Sequence, residues 1–98
     1  MKVRFLSPAQ EEIAHSAFYY LQASPQAAFD FEEEIERAAH AIAQNPTLYK
    51  VDTSSGHRVK LLDKFPFSLY YRIVGDEIQI TSAAHHARLP GYWHNRIR

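Results

Sequence analysis

The sequence contains no cysteine. That removes a disulfide framework, a thiolate zinc site and a thiol nucleophile together. It also lacks any apolar run near the roughly 20 residues needed to span a bilayer. Its first ten residues, MKVRFLSPAQ, carry two basic side chains with no apolar segment behind them, so they do not read as a secretory signal. The expectation is a cytoplasmic protein without membrane association. Net charge is absent too, since eleven basic and eleven acidic residues cancel. No two histidines stand at helical metal-ligand spacing; His85 and His86 are adjacent, and in a strand they would point to opposite faces. Neither a metal nor a cofactor is expected.

What is present is an ordinary globular composition. The chain has 98 residues and is 46% hydrophobic, which suits one domain over 1–98 and leaves no room for a second core. The charges are unevenly placed. Up to Asp52 there are four basic residues against eight acidic ones, a balance of −4. Beyond it there are seven against three, a balance of +4, and four of the six histidines lie there as well. A basic second half can meet phosphate or an acidic partner.

The hydrophobic period divides the chain in the same way. Residues 2–6, KVRFL, alternate as a short strand. Ser7 and Pro8 then suit a helix start, with Gln10 placed to complete a capping box. Ile13, Ala17, Tyr20 and Leu21 follow at helical spacing and predict a helix over 8–22. A second Ser-Pro pair at 24–25 starts another helix, with Ala28, Phe31, Ile35, Ala38, Ala39 and Ile42 as its stripe, and Asn45-Pro46 ends it. So short a connection makes the two helices an antiparallel hairpin. The EEE run at 32–34 reads as a solvated face near the positive end of the second helix dipole.

After the polar loop DTSSGH the period becomes two. Strands are expected at 57–62, 67–74 and 77–86, the last two joined by Gly75-Asp76 as a two-residue turn. The fold class is therefore α+β: an N-terminal strand, a helical hairpin, then a three-stranded antiparallel meander, with the helices on one sheet face. An uninterrupted register from that turn pairs 73 with 78, 72 with 79, 70 with 81 and 68 with 83. It puts Ser82 and Ala84 with Leu69, Tyr71 and Ile73 under the helices. Arg58, Lys60, Tyr70, Arg72, Gln79, Thr81, Ala83 and His85 fall on the free face, which is polar, basic and aromatic. His86 then points toward the helices.

On that register His85, beside Arg72 and Arg88, is usable as a general base or as a donor to a partner. Trp93 reads as an anchor for the C-terminal segment after the Pro90-Gly91 turn, and Tyr92 fits either side. Arg58, Lys60, Tyr70, Arg72, Arg88, Trp93 and Arg96 are the candidate partner-binding or nucleic-acid-binding residues. His85, Arg72, Arg88 and Tyr92 are the candidate catalytic ones.

The stretch KFPFSLYYRIVGDEIQITSAAHHARLPGYW, with Phe65-Pro66, Tyr70-Tyr71-Arg72 and the closing Ala84-His85-His86, Arg88 and Pro90-Gly91-Tyr92-Trp93, resembles the RelE/ParE toxins of bacterial type II toxin–antitoxin pairs. The order of elements is also that of the family. The resemblance implies a toxin, of the kind also called a plasmid stabilisation protein, held inactive in a hetero-oligomer with its cognate antitoxin. It implies one of two actions. ParE-like members inhibit DNA gyrase; RelE-like members cut mRNA on the ribosome without a metal, using side chains such as those at His85, Arg88 and Tyr92. A third alternative is a non-toxic member that only binds antitoxin. The zero net charge favours the gyrase reading, because phosphate neutralisation supplies much of the binding of a ribosome-dependent nuclease.

Overall fold

The computed structural model describes residues 1–87. Its elements are β1 (Lys2–Phe5), α1 (Ser7–Ala23), α2 (Pro25–Gln44), β2 (Arg58–Leu61), β3 (Phe67–Val74) and β4 (Glu77–His85). The sheet runs β1-β4-β3-β2. β2, β3 and β4 form the expected antiparallel meander, and β1 joins it parallel to β4. Among the described residues no helix is long and apolar enough to cross a membrane.

The two Ser-Pro pairs act differently. Ser24 caps α2, its Oγ accepting from the Ala27 N–H at 3.0 Å. Ser7 does not cap α1: the N-cap is Leu6, with no side-chain cap bond, and Ser7 lies inside the helix. The Leu6 N–H donates to the Ile80 carbonyl at 2.9 Å, so pairing with β4 holds the chain extended through Leu6, and the helix begins at Ser7, one residue earlier than expected.

Both helices cover one sheet face. Ala9 of α1 and Phe31, Ile35, Ala38, Ala39 and Ile42 of α2 pack with Phe67, Leu69, Tyr71, Ile78, Ile80 and Ala83 of the sheet. Two expected core residues lie outside it. Leu21 is exposed because Tyr20 takes the inward place, packing on Phe31, Phe65 and Phe67, and the next residue stands about 100° further round the helix. Ile73 is exposed because β2 begins at Arg58, opposite Tyr71, and so no strand flanks β3 on that side. Glu34 departs from the solvated-face reading in the other direction. It is buried, and its Oε2 accepts the Lys64 N–H at 2.9 Å, fastening the β2–β3 loop to α2.

The hairpin turn matches its expected chemistry. Gly75 has φ +62° and Asp76 has no positive φ, the combination of a type II′ turn. From that turn Ile73 pairs with Ile78, Arg72 with Gln79 and Tyr71 with Ile80. A β-bulge then interrupts the ladder. Tyr70 pairs with Ser82, not Thr81, and Leu69, Ser68 and Phe67 oppose Ala83, Ala84 and His85. Beyond the bulge every side chain of β4 is one residue out of the uninterrupted register, so its faces exchange. This corrects the expected placement of Ala83, Ala84, His85 and His86.

Candidate functional site

The bulge decides which side each candidate occupies. His85 opposes Phe67 on the helix-covered face, and the two rings meet edge-on with centroids 4.9 Å apart. Its Nδ1 accepts the Ala87 N–H at 2.9 Å, which leaves Nε2 as the ring's donor. His86 takes the opposite side, its Nε2 hydrogen-bonded to the Ser68 Oγ at 2.9 Å. The sequence reading had these two histidines exchanged.

β2 is also turned over relative to that reading. Arg58 opposes Tyr71 and Lys60 opposes Leu69, so both lie on the helix side of the sheet. The guanidinium of Arg58 donates to the carbonyls of Tyr49 at 2.7 Å and Thr47 at 3.2 Å, tying down the segment after α2. The Lys60 ammonium sits 5.0 Å from the centre of the Tyr49 ring. In their place the second face receives Val59 and Leu61, opposite Tyr70 and Ser68. No two-residue turn links β2 to β3, so nothing local could have set this phase.

Tyr70 and Arg72 remain on the face away from the helices. Burial, and then the charge of Asp52, push the Tyr70 hydroxyl above its ordinary value. Arg72 heads a short polar chain. Its Nε donates to the Gln79 Oε1 at 3.0 Å, the Gln79 amide donates to the Glu77 Oε1 at 2.9 Å, and that oxygen pairs with the Arg4 Nε at 3.3 Å. The bond from Gln79, with Arg4 and Lys2 nearby, holds the Glu77 carboxyl below the usual carboxylate range.

Arg72 and His85 are not brought together. Gln79, the partner of Arg72, is six positions before His85 on β4, which is roughly 20 Å along the strand. They also stand on opposite faces. Arg88, Tyr92, Trp93 and Arg96 lie outside the described residues. Among the described residues no three His, Asp or Glu side chains gather where they could hold a metal.

A group of residues not singled out from the sequence surrounds His85. Glu12, His15, Ser16 and Tyr19 of α1 line a cavity with it, together with Tyr20, Phe67 and Ala83. The Glu12 Oε1 accepts the Ala83 N–H at 2.9 Å and the Ser82 hydroxyl at 3.2 Å. β1 ends at Phe5, opposite Ile80, so this carboxylate takes over the edge of β4 that β1 no longer covers. The signal was in the spacing: positions 12, 15, 16 and 19 fall at i, i+3, i+4 and i+7 on one helix face.

A helical hairpin over a four-stranded mixed sheet, with a bulged last strand, defines a small α+β domain. The family described as the ParE toxin of the type II toxin–antitoxin system, parDE, matches residues 3–90, and the chain belongs to that family. A solved structure titled as the chromosomal ParDE toxin–antitoxin system from P. aeruginosa is similar in fold, with a TM-score of 0.76 and 22% identity, covering 87% of this chain and 95% of that one. No curated relative matches the chain.

Proposed function

We propose that this chain is the toxin of a type II pair, that a cognate antitoxin binds and silences it, and that the free chain inhibits DNA gyrase rather than cutting mRNA. Family membership supports the first two statements. One observation carries the third: Arg72 and His85 lie roughly 20 Å apart along the strands and on opposite faces. Cleavage through a 2′-hydroxyl needs a cation on the phosphoryl oxygens and a proton-transfer group within hydrogen-bond reach of the same centre. These two residues cannot serve one phosphate. Arg72 also shares its surroundings with Glu77, whose charge opposes a phosphate there.

On this reading Tyr70 and Arg72 remain candidate contact residues, along with Arg88, Trp93 and Arg96. The test sets two assays side by side with the purified chain. We expect loss of gyrase supercoiling activity, relieved by the antitoxin encoded beside it, and no ribosome-dependent cleavage of mRNA. His85→Ala should weaken gyrase inhibition only modestly, since most single contacts in an interface are worth little. Truncation before Leu89 should damage it more, because Tyr92, Trp93, Arg96 and Arg98 go together. Ribosome-dependent mRNA cleavage that His85→Ala abolishes would overturn the proposal. A chain that binds antitoxin but leaves both gyrase and mRNA untouched would reduce it to a binding module.

A further inference from the structure

We propose that the sheet face turned away from the helices binds, at its β1 end, an acidic stretch of a partner protein. The register sets two rows of side chains there, each crossing β1, β4 and β3. One row is Arg4–Gln79–Arg72 and the other Lys2–Glu77–Val74. Val3 and Phe5 pack toward the core, so Lys2 and Arg4 share the free face with Arg72. Neighbouring strands stand about 4.8 Å apart, which puts the two arginine backbones roughly 10 Å apart with Gln79 between them. The two rows hold three cations against one carboxylate, so their field favours an anionic partner.

Both guanidinium groups are held before any ligand arrives. Arg72 donates through Nε to the Gln79 Oε1, and Arg4 through Nε to the Glu77 Oε1. Among the described residues the Nη groups of both arginines and the Lys2 ammonium make no hydrogen bond. An arginine anchored at Nε keeps its paired Nη donors for a carboxylate, which they grip at two points. Lys2 and Arg4 stand two residues apart, roughly 7 Å, which is also the spacing of alternate side chains along an extended peptide. Glu77 decides between an acidic peptide and a nucleic acid. A phosphate backbone is charged at every step and would set a phosphate against that carboxylate, whereas a peptide can lay a neutral residue over it. Val74, 48% exposed and in the same row as Glu77, likewise suits a side chain better than a phosphate.

The inference does not depend on the cellular target, so it is tested without one. The probe is the blocked peptide acetyl-Ser-Glu-Ser-Glu-Ser-amide, titrated into the full chain at low salt and followed by NMR. The same peptide with Gln in place of Glu, and a short thymidine oligonucleotide, are the controls. The expected result is saturable shifts at Lys2, Arg4, Arg72 and Gln79 with the acidic peptide, lost at high salt, and several-fold weaker binding of either control. Arg4→Gln and Arg72→Gln should each weaken the acidic peptide about two- to five-fold, the range of one exposed ion pair. Lys2→Gln, at an exposed position that does not bear on folding, should weaken it in the same direction. Glu77→Gln should strengthen it, because a repelling charge goes while an acceptor for Arg4 and Gln79 stays. A purely structural role for Glu77 gives the opposite sign. Equal binding of the Gln peptide, preferential binding of the oligonucleotide, shifts confined to other surfaces, or weaker binding by Glu77→Gln would each overturn the proposal. Self-association of the chain through this face in the absence of peptide would overturn it too.

Discussion

Replacing Tyr71 by Phe removes one hydroxyl from the centre of the molecule and nothing else. The ring is fully buried, and its OH donates to the Pro46 carbonyl at 2.7 Å, holding the end of α2 against β3. A net hydrogen bond is worth about 0.5–1.5 kcal/mol, and an acceptor left buried without its donor costs about 1–3 kcal/mol. Pro46 is only half-buried, so water reaches part of the way and the lower end applies. We expect a loss of about 1–2 kcal/mol, or a fall in Tm of roughly 4–16 °C for a domain of this size. A second reading of the same variant comes from pH. Burial pushes the Tyr71 hydroxyl above its ordinary value of 10.0, with Tyr49 adding to the effect and Arg58 opposing it. The native chain thus holds this proton at a pH where the unfolded chain has released it. The stabilisation is complete below 10.0 and is lost as pH rises through the folded value. Tyr20 and Tyr70 are raised as well, so among the described residues the wild type carries three such groups and Tyr71→Phe two. Each contributes a slope of at most about 1.4 kcal/mol per pH unit. The difference in stability between the two proteins, measured by urea unfolding, should therefore shrink as pH rises past 10.0. A difference that stays constant from neutral to alkaline pH, or a variant as stable as the wild type, would refute the reasoning.

Glu34→Ala should cost about 0.5–1.5 kcal/mol in urea unfolding, because the part-buried hydrogen bond from the Lys64 N–H is lost, and Glu34→Gln should recover part of that loss. Ser24→Ala should cost about 1 kcal/mol while Ser7→Ala costs almost nothing, since only Ser24 makes the cap bond. Glu77→Gln should flatten the acid limb of the stability profile. The lowered Glu77 carboxyl stabilises the fold above its ordinary value of 4.5, and that contribution is lost as pH falls through the folded value. The effect should diminish in high salt, because the Arg4–Glu77 pair is a surface contact.

The helices were legible because their signals are local. Ser24-Pro25, Asn45-Pro46 and the stripe from Ala28 to Ile42 all act within a few residues of one another, and α2 runs Pro25–Gln44 accordingly. β3 was legible for the same reason: Phe67, Leu69 and Tyr71 alternate and are buried. The phase of β2 was not, because it depends on which side of Tyr71 the Arg58 guanidinium finds carbonyls, and those belong to Thr47 and Tyr49. Glu34 was hidden likewise, since its partner lies thirty residues away. The candidate site inherited these gaps. Arg72 and Tyr70 stand where they were expected, while His85 was placed by a count along the strand that a single extra residue defeats.

That extra residue leaves little trace in the period. Ser82, Ala83 and Ala84 are small, and either face of a strand accepts them, so TSAAHH reads equally well in both phases. The structure shows what selects the bulged phase. The Thr81 hydroxyl donates to the Tyr70 carbonyl at 3.2 Å, supplying a bond where the ladder is interrupted. Glu12 then receives the Ser82 hydroxyl and the Ala83 N–H on the other edge. Polar groups that a bulge could strand are thus satisfied from a neighbouring strand and from α1. In the uninterrupted phase Ser68 would lie opposite Ala83, and His86, not His85, would be turned toward α1. The bulge therefore does two things at once. It replaces His85 by His86 on the face that carries Arg72, and it delivers the His85 imidazole to the cavity edged by Glu12 and Tyr19. A shift of one residue near the end of β4 thus decides which of the two histidines shares a face with Arg72 and which lies beside Glu12.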